Sequence, residues 1–260
     1  MTGPAGVIAL VLAETVAGGA AFAFLTPLWR EVKPGFFKLT GVLLLALGLA
    51  AWGAGGAARE AGSDAGRSAW LLAGAFCVVT ALWLAALFVR RPRVARAVGF
   101  ASIPVAVWFL YALAGTSDRS AAVSFLQLLA GAAFLGVVLD GLLLGHWYLT
   151  DRRLPRGPIN RFALALMLAV VVEGVAVIAG GFGPVESRPG FNPLLTSAGL
   201  ASWVAIGMTA TTALIAVMIR LTLKGSRATA VQAATGFFYL AVITAFAGDL
   251  AAKVRFLPRA

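Results

Sequence analysis

The chain has 260 residues, of which 61% are hydrophobic and 12% charged, with a mean hydropathy of +0.94 and a formal net charge of +11. An ordinary soluble domain carries about 25% charged residues, so a chain this apolar cannot cover its own surface in water, and the bilayer is its solvent. The positive charge does not point to nucleic acid, because the basic residues fall in short separated turns without interleaved aromatics. One cysteine, Cys77, and one histidine, His146, exclude an internal disulfide, an iron–sulfur site or a zinc or copper cage built from this chain alone. No metal site is expected.

A helix needs ~20 apolar residues to cross the hydrocarbon core. Eight stretches meet that length: residues 6–28, 39–58, 68–89, 96–115, 121–149, 160–182, 195–219 and 229–251. The fold expected is an all-α integral membrane protein of eight transmembrane helices, one polytopic domain over residues 1–260. The first stretch contains Glu14 and lacks a basic region before it. It is therefore read as a retained helix and not as a cleaved signal.

The connections carry Pro, Gly and charge and are too short for a soluble domain. The four odd-numbered connections hold 14 Lys and Arg; the even ones and the C-terminal tail hold 7. By the positive-inside rule the odd connections face the cytoplasm and both termini face outward, as in a multi-pass protein of the cell inner membrane.

Segment one contains AGGAAF from Ala17, and segment five AGAAF from Ala130. Segment four opens RVARAVGF from Arg93, and segment eight AVQAATGF from Ala230. These matched places suggest two parallel four-helix halves, residues 1–119 and 120–260; chance recurrence of small residues in membrane helices is the alternative. In helix number and halving alone this resembles the quinone-interacting anchors of the polysulfide-reductase membrane family. No motif of that family is present, and no residue role is carried over from it.

Ionisable groups at membrane depth cost about 2.5–3.5 kcal/mol each on insertion scales and so ask for a reason. Glu14 is followed by small residues that let another helix come close. Glu173, in VVVEGVAV, is the carboxyl farthest from either end of its segment. Asp249 and Lys253 are four apart and read as a helix-end ion pair.

The stretch LDGLLLGHWYLTDRR, from Leu139 to Arg153, combines Asp140, His146, Trp147, Tyr148 and a basic turn. Trp147 and Tyr148 suit the headgroup level, which makes His146 an interfacial residue or a hydrogen-bond donor to a quinone carbonyl. Haem is disfavoured, since a single histidine forbids bis-histidine ligation and leaves only a pairing with Met167 or Met218. Six residues place Asp140 and His146 ~120° apart around an ideal helix. Gln232 and Tyr239 lie on segment eight at His146's depth.

One inner-leaflet cavity lined by His146, Asp140, Glu173, Trp147, Tyr148, Gln232 and Tyr239 is the expected site, with Glu14 as a second candidate. The functional reading is a membrane subunit or anchor of a respiratory or redox assembly, holding a quinone and joined to other membrane or membrane-attached subunits. The alternatives are a proton-coupled transporter or permease, and a scaffold with no small-molecule site. No soluble-enzyme motif is present, and an enzyme acting alone is not expected.

Overall fold

The computed structural model describes residues 1–151, 153–180, 200–225, 229–254 and 256. The sixth connection lies outside the described residues, as do Arg152, Arg188, Arg227, Arg255 and Arg259 of the charge count. The helices are α1 (Gly3–Leu25), α2 (Leu28–Glu31), α3 (Pro34–Ala58), α4 (Asp64–Phe88), α5 (Pro92–Ala114), α6 (Ala121–Thr150), α7 (Gly157–Ala179), α8 (Leu200–Leu223) and α9 (Thr229–Val254). All but the four-residue α2 are long and apolar enough to cross a membrane, which makes eight spans among the described residues. The protein is an all-α polytopic membrane protein.

Local chemistry sets where the helices start. Proline occupies one of the first two positions of α3, α5 and α7, where its missing N–H costs nothing. These three helices all follow odd connections. Helices α4 and α6, after the second and fourth connections, start with serine caps: the Ser63 side chain accepts from the Gly66 N–H at 3.1 Å, and that of Ser120 from the Val123 N–H at 3.4 Å. The helices begin three to five residues before the apolar stretches at α3, α4, α5 and α7. Hydropathy marks the part of a helix in hydrocarbon, whereas the cap marks where hydrogen bonding starts.

The bundle is organised around α1 and α6. Buried residues make up 78% and 61% of their apolar windows, against 33–39% in the other six spans. Helix α1 packs on α3, α3 on α4, α4 on α5, and α5 back on α1. Helices α6, α7, α8 and α9 close in the same order, and α1 packs along α6 between the two rings. Both central helices are apolar around their whole circumference, as burial on all sides demands.

The seam between α1 and α6 is a backbone-to-backbone crossing. A Cβ built on Gly18 would lie 1.7 Å from the Ala132 carbonyl oxygen, and one on Gly136 would lie 2.4 Å from the Gly18 Cα. Only glycine permits this approach, and in lipid close packing of small residues is a main source of helix association. Aromatic side chains close the end of the first ring near the odd connections. Trp29 stacks on Phe37 at 3.9 Å, and Phe24 meets Trp83 edge-on at 4.8 Å while seating on Gly99.

The odd connections are tied together by charge. Lys33 pairs with Asp151 at 2.8 Å, Arg161 with Glu31, and Arg220 donates to Asn160 at 2.9 Å. The Lys33 ammonium holds the Asp151 carboxyl below the usual carboxylate range. On the opposite face Ser117 donates to the Phe256 carbonyl at 3.1 Å, and Arg119 to the Gly180 carbonyl at 2.8 Å.

A methyl group at the crossing has nowhere to go. Gly18→Ala is expected to cost about 1–3 kcal/mol by overpacking and to lower the thermal unfolding midpoint of the solubilised protein. Gly53→Ala, where a Cβ meets nothing within 4 Å, is expected to leave that midpoint unchanged.

Candidate functional site

Four ionisable side chains from three helices meet inside the bundle. Lys253 of α9 places its Nζ 2.8 Å from Glu14 Oε1 on α1 and 3.0 Å from Asp249 Oδ1, one turn earlier on its own helix. Glu173 of α7 is the fourth member and lines the same small cavity as that lysine. Relative exposure is 0% for Glu14, 1% for Asp249, 2% for Glu173 and 3% for Lys253. The second oxygens of Glu14, Asp249 and Glu173 have no hydrogen-bond partner among the described residues.

Each position has a local cause. Glu14 lies against α6 where Gly131 leaves room: a Cβ there would be 2.4 Å from Glu14 Oε1. Asp249 and Lys253 share a face because they are four apart. Lys253 is one residue from the end of α9, yet its partner Glu14 is eleven residues into α1. Helix α9 therefore ends inside the bundle, and Phe256 is buried just beyond it. The Asp249–Lys253 pair is thus not the interfacial helix-end bridge its spacing suggests; it is the buried core of a larger cluster.

A cavity of ≈ 40 Å³ adjoins the cluster on the side of the even connections, lined among others by Glu173, Lys253, Ser202, Gln127 and Arg119. About 10–15 Å³ accommodates one water, so the space fits a short chain of waters or a small ion. Arg119 stands at its partly exposed rim and donates to the carbonyl of Gly180, the residue that caps α7, where a cation suits the helix dipole. Gln127 donates to the Ala176 carbonyl at 3.4 Å.

The charges do not balance. Three carboxylates around one ammonium leave two negative charges in a low-dielectric interior, and even Arg119 at the rim offsets only one of them. Uncompensated charge there costs several kcal/mol. An excess of carboxylates of this kind favours uptake of a proton or a small cation at the cluster.

The inner-leaflet cavity expected from the sequence does not assemble. Asp140 is fully buried against α1, with Oδ1 3.8 Å from the place a Cβ on Gly19 would take, and neither oxygen has a partner. His146 faces out of the bundle, where the Tyr239 hydroxyl lies 3.0 Å from its Nδ1 and 3.2 Å from its Nε2. Trp147 packs on Gly35 and meets Phe36 edge-on. Tyr148 is buried and donates to the Pro155 carbonyl.

The Gln232–Tyr239 stripe divides. Gln232 and Tyr239 are exposed, while Thr235 between them is buried against Gly145. Of the seven residues expected to share one cavity, only His146 and Tyr239 meet, and Glu173 joins Glu14 in a cluster on the other face. Among the described residues no group of three or more His, Cys, Asp or Glu is arranged to hold a metal ion.

A second cleft of ≈ 310 Å³ opens between α1, α5 and α6, lined by residues such as Ala17, Gly18, Phe22, Val107, Leu129 and Ala132. Its lining carries no ionisable side chain. Comparison of the chain with family models, curated proteins and solved structures gives no match.

Removing Lys253 strands the carboxyls. Lys253→Met is expected to destabilise the protein by about 3–5 kcal/mol, as breaking a buried ion pair does. The double variant Lys253→Met with Glu14→Gln should recover part of that loss. Thermal unfolding of the solubilised protein at neutral pH reads both.

Proposed function

We propose that this protein exchanges protons at the Glu14–Asp249–Lys253–Glu173 cluster as part of a coupled transport activity, with access from the face of the even connections. The observation that carries the reading is the excess of buried carboxyl groups over cations beside a polar cavity. A lysine shared among carboxylates is a movable counter-charge: when Glu173 takes up a proton, Lys253 is drawn more fully to Glu14 and Asp249. Proton binding is thereby coupled to the contact between α1 and α9, which join the two rings. The charge asymmetry of the connections supports an orientation with the even face, and so the cavity, outside the cytoplasm.

The matching order of helix contacts in residues 1–119 and 120–260 supports their being parallel repeats. In such proteins a site between the repeats is reached alternately as they rock. Glu14 and Lys253 come from different halves, so the ion pair lies where such rocking would break and remake it.

The test is proton movement in proteoliposomes loaded with a pH-sensitive dye, challenged with alkali cations and a panel of small charged solutes. A solute-evoked proton flux in the unsubstituted protein, reduced at least tenfold in Glu173→Gln, is the expected result. Absence of any evoked flux, or an unchanged flux in Glu173→Gln, overturns the proposal. Unchanged partner binding when all three carboxyls are neutralised would instead favour a scaffold.

One observation favours a second reading, a membrane subunit of a redox assembly. His146 and Tyr239 form a hydrogen-bonded pair that faces the lipid, where a membrane quinone is dissolved. A quinone that separates the pair would let its carbonyl accept a hydrogen bond from the His146 imidazole N–H or the Tyr239 hydroxyl. A quinone that co-purifies with the protein, and is lost in both His146→Ala and Tyr239→Phe, is the expected mass-spectrometric outcome on this reading; equal quinone content in the variants sinks it.

A further inference from the structure

The seam between α1 and α6 carries a second buried carboxyl that the cluster does not use. Asp140 has 0% exposure, and among the described residues neither of its oxygens has a hydrogen-bond partner. A partnerless carboxylate in this interior is too costly to keep, and a purely structural role would give its oxygens something to bind.

Its placement mirrors that of Glu14. Glu14 of α1 lies on Gly131 of α6, and Asp140 of α6 lies beside Gly19 of α1. Glu14 stands four residues before Gly18, and Asp140 four residues after Gly136, the two glycines of the crossing. The crossing is therefore flanked by one buried carboxyl on each side, ~12 Å apart along the seam at 1.5 Å per residue. Toward the odd face, buried polar atoms without a partner among the described residues include Thr40 Oγ1 on α3 and Trp147 Nε1 near the end of α6, with Trp29, Thr80 and Trp83 away from the seam.

We propose that Asp140 is a second proton-carrying station of the bundle, separated from the Glu14 cluster by the closed glycine crossing and exchanging its proton with the odd face. The step is a proton transfer only: an O–H bond forms on Asp140 as a proton arrives from the odd face and breaks as it returns there, and no electrons change hands. This rests on the proton-exchange reading of the cluster and adds a second carboxyl that takes part.

The test is infrared difference spectroscopy of the full-length protein in oriented proteoliposomes, with pH steps applied to one face at a time. The expected result is a carbonyl band of a neutral acid that is lost in Asp140→Asn, shifted in Asp140→Glu, and responsive to pH on the odd face. Two or more such bands should respond from the even face, one of them lost in Glu173→Gln. If the Glu173 band responds while no band is assignable to Asp140, or the Asp140 band ignores pH on both faces, the second station is refuted and the cluster reading stands. If the Glu173 band is itself unresponsive, the reading on which the proposal rests fails with it.

Discussion

An ammonium group in the interior of a helix bundle must be surrounded by carboxylates or it will not stay charged, and an isolated carboxylate in hydrocarbon is no cheaper. Lys253 meets this condition only because α1 brings Glu14 to it from the other half of the chain. That contact sets demands on the surrounding sequence. Gly131 must lack a side chain for Glu14 to fit, and the last turn of α9 must be buried for Lys253 to reach it. The turn after α9 must also be covered, which Ser117 and the buried Phe256 accomplish. The ion pair is thus a tie between the two four-helix rings as well as a site. Any proton that changes its charge also changes the force holding α1 against α9.

The two sides of the seam are held differently. On one side α1 meets α9 through a charged cluster; on the other, α5, α1 and α6 leave an apolar cleft of ≈ 310 Å³. Apolar contact within lipid offers little driving force, because acyl chains are as apolar as leucine. The glycine crossing and the ionic cluster therefore provide most of the specificity with which the halves associate, and the cleft marks where such specificity is missing. A bundle held in this way is closely packed at the crossing and charged on one flank.

Much of the fold was legible from hydropathy. Eight apolar stretches became eight spanning helices, because in hydrocarbon an unpaired backbone has no alternative to the helix. The carboxyls of interest were also visible as charges where charge is costly. Their grouping was not. Reading Asp249 and Lys253 as a pair at a helix end was right about the pair, but sequence spacing could not show that Glu14 of α1 joins it from the other half of the chain, and so the cluster was missed. A signal was present: Glu14 lay at depth with no cation near it in sequence, and Lys253 was the one lysine assigned to the outer face.

Facing was the other thing periodicity could not give. His146, Asp140 and Glu173 were expected to line one cavity, but His146 is exposed, Asp140 is buried against α1 and Glu173 lines the small cavity beside Lys253. A helix that is apolar all round, as α6 is, carries no amphipathic stripe from which to read which side meets a neighbour. Its small residues are the better guide. Gly131, Gly136 and Gly141 each receive a group from another helix — Glu14, the α1 backbone and Phe238 in turn. The glycines of α6 thus record which faces are occupied, and His146, with no glycine opposite it on another helix and only Tyr239 beside it, is left on the face that α6 presents to the lipid.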